Sequence, residues 1–153
     1  MNTSSSVLAE STSPPDVNRR GAAIRNMAEL AGRFFLIVLF LLSGLSKLSA
    51  YSATAAYMAS NGVPGALLPA VIATEVLGAF AILLGWKTRY AAFLLAGFSF
   101  LTALMFHNNL ADQTQLIMFF KNISISGAFL LLVANGAGPL SLDRRATKRG
   151  SRG

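Results

Sequence analysis

Four long apolar segments, separated by short polar ones, dominate the pattern of hydrophobic and polar positions along the chain. They cover residues 30–48, 66–85, 90–106 and 116–134. A transmembrane helix needs about 20 predominantly apolar residues, and each segment approaches that length. Because backbone groups in a bilayer must satisfy their own hydrogen bonds, such segments span it as helices. The pattern predicts an all-α fold, a bundle of four transmembrane helices. A soluble all-helical core is disfavoured, since the segments hold almost no charge.

The connections between the apolar segments differ in length. The first contains a helix-compatible run, residues 52–60, which is closed by Asn61, Gly62 and Pro64. We predict a short interfacial helix between helices 1 and 2, with an ordinary ordered loop as the alternative. The sequence "GWKTRY" between the second and third segments predicts a tight turn, with Trp86 and Tyr90 as interfacial anchors.

Both ends of the chain differ in composition from its apolar centre. Residues 1–28 begin with a stretch rich in Ser, Thr and Pro, and we predict a disordered cytoplasmic tail there. A signal peptide is the alternative, but no small-residue cleavage pattern closes the apolar run that follows. Residues 141–153 are predicted to form a basic cytoplasmic tail, so the membrane domain covers residues 29–140.

The composition is that of a membrane protein. Of the 153 residues, 54% are hydrophobic and 12% are charged, which is about half the charge of an ordinary soluble domain. Thirteen Lys and Arg outnumber six Asp and Glu. These basic residues are not interleaved with aromatic ones along a polar face, so no nucleic-acid partner is expected. The expected partner is the lipid bilayer.

The basic residues also predict the orientation in the membrane. With four spans, eleven of the thirteen lie on one side, and the positive-inside rule makes that side, with both termini, cytoplasmic. Arg33 is expected to extend to the cytoplasmic interface, so that the first span starts before it. The eleven residues are Arg19, Arg20, Arg25, Arg33, Lys87, Arg89, Arg144, Arg145, Lys148, Arg149 and Arg152.

The chain has no cysteine and a single histidine. Disulfides, thiolate metal sites, iron–sulfur clusters and a cysteine nucleophile are therefore excluded, and one histidine cannot build a zinc site. No metal is expected. The chain is poorly equipped to carry its own redox centre.

A few ionisable residues lie inside the apolar segments. Glu75 falls near the middle of the second segment. An acidic residue there costs about 2.5 to 3.5 kcal/mol on insertion scales, so it should face the interior and be paired or protonated. Lys47 lies one helical turn after Ser43, and Lys121 lies near the start of the fourth segment. The two lysines are the expected partners of Glu75.

The polar residues of the four segments are predicted to converge in the outer half of the bundle. Nothing among them resembles a nucleophile with its base, so catalytic residues are unknown, and the cluster indicates a binding pocket or a proton-linked site. An ion-paired pin that fixes helix register is the alternative. The candidate ligand-binding or proton-relay residues are Lys47, Glu75, His107, Lys121, Asn122 and Ser43.

Six stretches, in order, carry a family resemblance: "GRFFLIVLFLLSGLSKL", "YMASNGVP", "ATEVLGAFAILLGWKTRYAA", "LTALMFH", "KNISISGAFLLL" and "GPLSLDR". Together they resemble the DoxX family of small four-helix bacterial membrane proteins. The resemblance implies an inner-membrane location and polar positions at Lys47, Glu75, His107, Lys121 and Asn122. Some members are described as small subunits of quinone-linked oxidoreductases, including thiosulfate:quinone oxidoreductase, or as membrane partners of redox enzymes.

The polar cluster and the family resemblance together support one leading hypothesis. The chain is an accessory or anchor subunit of a redox or detoxification system, not catalytic alone, with a polar pocket for a quinone-like or other small ligand. The expected protein partner is a redox enzyme or a further copy of the chain. One alternative is a proton-coupled small-solute transporter or permeation protein, for which a mid-membrane Glu is a natural relay. The other is a structural or assembly protein without a ligand.

Overall fold

The structure is a computed structural model that describes residues 15–150 of the chain. Within this range four helices, α1, α3, α4 and α5, are long and apolar enough to cross a membrane. The predicted all-α bundle of four transmembrane helices is confirmed. The helices are α1 (Pro15–Ser49), α2 (Tyr51–Ser60), α3 (Leu68–Leu84), α4 (Thr88–Phe106), α5 (Gln113–Asn135) and α6 (Leu142–Gly150), and a 3-10 turn (Gly65–Leu67) precedes α3.

Small side chains line the buried face of α4, while larger ones such as Ile37 and Phe129 fill the rest of the core. Helix α4 packs along both α3 and α5, and the face it buries carries Ala92, Ala96, Ser99 and Ala103. Small residues at this spacing let neighbouring backbones approach closely, which is how helices associate where lipid removes the hydrophobic driving force. Many Phe, Leu and Ile side chains are left exposed on the outer surface, where acyl chains would cover them.

Helices α1 and α3 pack side by side in opposite directions. Gly44, near the end of α1, faces Glu75 and Val76 in the middle of α3. A methyl group at Gly44 would come within 2.7 Å of Val76 Cγ2. The close approach therefore requires a residue without a Cβ at this position.

Helix α1 begins at Pro15, whereas a disordered tail was predicted over residues 1–28. Residues 15–28 depart from that prediction, and residues 1–14 lie outside the described range. Proline suits the first position of a helix, where its missing N–H costs no hydrogen bond. Residues 16–28 include three Ala and three Arg, which favour a helix. Extending an existing helix also needs no new nucleus. At 1.5 Å per residue α1 is about 50 Å long, so its first turns project beyond the hydrocarbon core.

Helix α2 is the predicted short helix between the first two spans. It ends at Ser60, and the backbone then reverses through Gly62, whose φ is 77°. Met58 is buried with Val63, Leu68 and Ile72. This apolar contact folds α2 back onto the start of α3.

The α3–α4 turn and α6 form one end of the bundle, which we call the basic end. The predicted tight turn occupies Gly85 to Lys87, and both of these residues have positive φ angles, 66° and 45°. Asp143 of α6 caps the start of α4, since its carboxylate accepts hydrogen bonds from the backbone N–H of Lys87 at 2.7 Å and of Thr88 at 2.9 Å. The predicted basic tail is therefore helical over Leu142–Gly150 and is tied to the turn.

Arg33, predicted to extend to the cytoplasmic interface, reaches the basic end of the bundle, where protein encloses it. Its side chain is buried, with only 2% of its surface exposed. The guanidinium donates to the backbone carbonyls of Ile82 and Leu83 at 3.4 Å each, and also to that of Leu140. The C-terminus of a helix presents unpaired carbonyls and partial negative charge, so a cation there is stabilised without reaching water.

We predict that Gly44→Ala destabilises the protein by about 1 to 3 kcal/mol, because the new methyl group overpacks the α1–α3 contact against a stiff Val side chain. Gly97→Ala is the matched control, since nothing lies within 4 Å of a Cβ built there. Thermal unfolding in detergent, followed by circular dichroism, measures both. Equal melting temperatures for the two variants would contradict this account of the contact.

We also predict that Asp143→Asn destabilises the protein by about 1 kcal/mol, as loss of a helix cap does. Burial alone would raise the pKa of Asp143, but hydrogen bonds from the Thr88 and Lys87 backbone and the charge of Arg33 outweigh it and lower the pKa. Because its native pKa is lowered, the charged carboxylate stabilises the folded protein at pH values above the unfolded pKa of about 3.9. This stabilisation is lost as the pH falls through the native pKa. The difference in melting temperature between wild type and Asp143→Asn should therefore shrink below about pH 4.

Candidate functional site

A cavity of about 470 Å³ lies at the opposite end of the bundle from the basic end, under α2. Its volume falls within the range of about 300 to 1,000 Å³ that is typical of small-molecule sites. Side chains from all five helices α1 to α5 line it. The six predicted site residues are among them: Ser43, Lys47, Glu75, His107, Lys121 and Asn122.

A triad of Ser43, Lys47 and Glu75 forms the polar wall of the cavity. The Lys47 ammonium donates to Glu75 Oε1 at 2.8 Å, to Glu75 Oε2 at 2.9 Å and to Ser43 Oγ at 2.6 Å. The Ser43 hydroxyl in turn donates to Glu75 Oε1 at 3.0 Å. All three N–H groups of the ammonium are thereby used. The predicted pairing of Lys47 with Glu75 is present.

Glu75 lies on the buried face of α3. The buried positions of this helix, Leu68, Ile72, Glu75, Ala79 and Ile82, recur every three or four residues, so the fold that buries the apolar residues also buries the carboxylate. Only 3% of Glu75 is exposed. A charge at such a position is tolerated when it is paired and fully hydrogen-bonded. The ion pair leaves the triad with no net charge.

His107 follows the last residue of α4 and contacts α5. Its Nδ1 lies 2.8 Å from Oε1 of Gln115. Because this amide oxygen can only accept, Nδ1 is the donor in this contact. His107 also lines the cavity.

Lys121 lies on the cavity wall but does not reach Glu75, so its predicted pairing with that carboxylate is absent. Its ammonium contacts the thioether sulfur of Met118 at 3.0 Å, a weak acceptor. Among the residues that the structure describes, no carboxylate lies within 4 Å of it. Asn122 donates to the Met118 carbonyl at 3.0 Å. Lys121 thus contributes a cation to the cavity for which the described residues supply no carboxylate.

Helix α2 covers the cavity and supplies residues that the sequence did not single out as part of a site. Tyr57 stacks on Phe106, with ring centroids 5.7 Å apart and an interplanar angle of 25°. Thr54 and Met58 line the cavity beside Tyr57. Their spacing could have indicated a shared surface, since residues 54, 57 and 58 lie on one face of a helix.

The rest of the cavity wall is apolar and reaches the outside of the bundle. Leu39, Leu67, Leu101 and Met105 line the cavity, and the same four side chains are 43 to 56% exposed. This part of the cavity is therefore accessible from outside the protein past apolar side chains.

Comparison with known proteins identifies the family. The DoxX family model matches residues 28–108, more than half of the chain. The chain belongs to the DoxX family. The inner membrane protein YqjF of Escherichia coli (strain K12) is 43% identical over 126 residues, which cover 82% of this chain and 97% of that relative. The inner membrane protein YphA of the same strain is 40% identical over 131 residues, which cover 80% of this chain and 93% of that relative.

The membership agrees with the architecture described above. As a DoxX protein with four helices able to span a bilayer, the chain is an integral inner-membrane protein. No solved structure matches the chain significantly. The matched region contains Ser43, Lys47, Glu75 and His107, whereas Lys121 and Asn122 lie beyond it.

We predict strong energetic coupling between Lys47 and Glu75. Lys47→Met alone leaves a buried carboxylate without its cation, which costs about 3 to 5 kcal/mol. Combining it with Glu75→Gln removes both charges. The double variant should therefore lose less stability than the two single variants lose in sum. Thermal unfolding of the four proteins in detergent gives the coupling energy. Lys121→Met, which removes an exposed lysine with no carboxylate partner, serves as the near-neutral control, and additive effects of the two buried changes would refute the coupling.

Proposed function

We propose that this DoxX protein is an accessory or anchor subunit of a redox or detoxification system and holds a quinone-like or similarly small, lipid-soluble ligand in the α2-covered cavity. One observation carries the proposal. A cavity of ligand size has a mainly apolar lining and carries an ion pair, a cation and a histidine in its wall. A ligand with an apolar body and a polar ring or head matches that division.

The cavity supplies polar contacts of the kinds that a quinone carbonyl needs. Such an oxygen accepts hydrogen bonds, and the Lys121 ammonium is the donor whose charge has no carboxylate partner among the described residues. The Nε2 atom of His107 would accept from a hydroxyl of the reduced ligand. The electron transfer itself would belong to a partner enzyme, while this chain binds and orients the ligand.

The proposal also includes the orientation. Arg25, Lys87, Arg89 and Arg144 surround the basic end of the bundle, which supports a cytoplasmic location of that end and of both termini by the positive-inside rule. The ligand cavity would then face the periplasmic half of the membrane. A partner would meet the ligand from that side.

Binding of a short-chain ubiquinone analogue to the purified protein tests the proposal by isothermal titration calorimetry. Wild type should bind, and Thr102→Leu should bind more weakly, because Thr102 lines the cavity and a larger side chain would narrow it. Ser124→Leu is the matched control on the exposed face of α5. Absence of binding to wild type, or equal binding to the two Leu variants, would refute the assignment of the ligand to this cavity.

A second pair of variants tests the polar contact. Lys121→Met should weaken analogue binding about tenfold or more, as loss of a charge-assisted hydrogen bond does. It should leave the melting temperature unchanged, since Lys121 is exposed. Lys148→Met, at the basic end, is the control for loss of a lysine. Solute or proton flux through proteoliposomes, abolished by Glu75→Gln, would instead favour the transporter hypothesis.

A further inference from the structure

A second concave surface lies at the basic end, remote from the ligand cavity. It encloses about 600 Å³ between the start of α4, the turn after α5 and helix α6. Its polar wall carries four cations that come from separate parts of the chain. They are Arg25 of α1, Lys87 of the α3–α4 turn, Arg89 of α4 and Arg144 of α6. We call it the basic groove.

The described residues of the basic groove carry more positive than negative charge. Asp143 is the carboxylate that lines it, and both of its oxygens already accept backbone N–H groups of Lys87 and Thr88. Glu29 lies 3.9 Å from Arg25 without lining the groove. Among the described residues, the groove thus carries four cations, one of them paired with Glu29, and one carboxylate that is already engaged. Such an arrangement attracts an anion with several oxygen acceptors, and phosphate is the usual partner of arginine clusters.

An apolar surface continues from the basic groove into the bilayer. Tyr90 and Asn135 line the groove, and one helical turn deeper on the same faces are Leu94 of α4 and Leu131 of α5. Leu94 is 64% exposed and Leu131 is 67% exposed. The Asn135 amide donates to the Leu131 carbonyl at 2.8 Å, which fixes its position above that leucine. Acyl chains could lie against these leucines while a headgroup occupies the groove.

We propose that the basic groove binds an anionic phospholipid, with the headgroup phosphate held by the arginines and the acyl chains along α4 and α5. The location favours a lipid over a soluble anion. The groove lies where the membrane-spanning helices end, next to the exposed rings of Trp86 and Tyr90, and aromatic residues of this kind mark the headgroup level. Basic pockets at that level recognise anionic headgroups.

The test measures lipid retention by native mass spectrometry and thermal stabilisation in detergent. Phosphatidylglycerol should be retained and should raise the melting temperature of wild type, whereas phosphatidylcholine should do neither. Arg89→Gln combined with Arg144→Gln should weaken phosphatidylglycerol binding about 10- to 30-fold. Arg20→Gln combined with Arg145→Gln removes the same charge from exposed positions outside the groove and should leave binding within about twofold of wild type.

Three outcomes would overturn the proposal. An equal loss of phosphatidylglycerol binding in the two double variants would mean that the attraction is spread over the protein surface and not located in the groove. Stabilisation by inorganic phosphate or glycerol phosphate equal to that by phosphatidylglycerol would mean a site for a soluble anion. Equal retention of the two lipids by wild type would remove the headgroup selectivity, and this comparison decides the question even if the groove variant fails to fold.

Discussion

The contact between α1 and α3 is fixed by charge at two levels, and the rest of the bundle is arranged around it. Near the basic end of the two helices, the Arg33 guanidinium binds carbonyls at the end of α3. Further along them, the Lys47 ammonium binds Glu75. Acyl chains offer these groups no alternative partner, so a slide of one helical turn, about 5.4 Å, would leave both unsatisfied in hydrocarbon. Between the two levels, Gly44 brings the backbones together. The register of α1 on α3 therefore sets the position of every polar group that α1 contributes to the cavity.

The cavity combines an ion pair with a lysine for which the described residues supply no carboxylate. The Ser43, Lys47 and Glu75 triad satisfies itself, so it stabilises the bundle whether or not anything is bound. Lys121 and His107, on α5 and just beyond α4, also line the cavity. The proposed function assigns ligand contact to these two residues and leaves the triad a structural role. The hypothesis of an ion-paired pin and the hypothesis of a binding pocket therefore apply to different parts of one site.

The sequence predicted those features that a bilayer imposes, and missed those that depend on contacts between distant segments. Helix number follows from apolar length, and the pairing of Lys47 with Glu75 follows from counting residues along two helices. In contrast, the prediction that Arg33 reaches the interface assumed a lipid-facing side chain, whereas α3 and Leu140, distant in sequence, supply its acceptors. The cap formed by Asp143 is equally nonlocal. The predicted pairing of Lys121 with Glu75 used only the depth of each residue in the membrane. Depth does not determine which way a side chain points around its helix.

Helix α6 does more than carry positive charge, because Asp143 holds the α3–α4 turn in a conformation with a positive φ at Lys87. This affects how the topology of the protein can be mapped. Reporter domains are commonly fused to the C-terminus, and a junction placed before residue 143, at the apparent end of the membrane domain, would delete the cap of α4. The reporter would then describe a protein with a damaged turn. A junction after Gly150 keeps the cap, so the side of the membrane on which the native chain ends can be read from the intact fold.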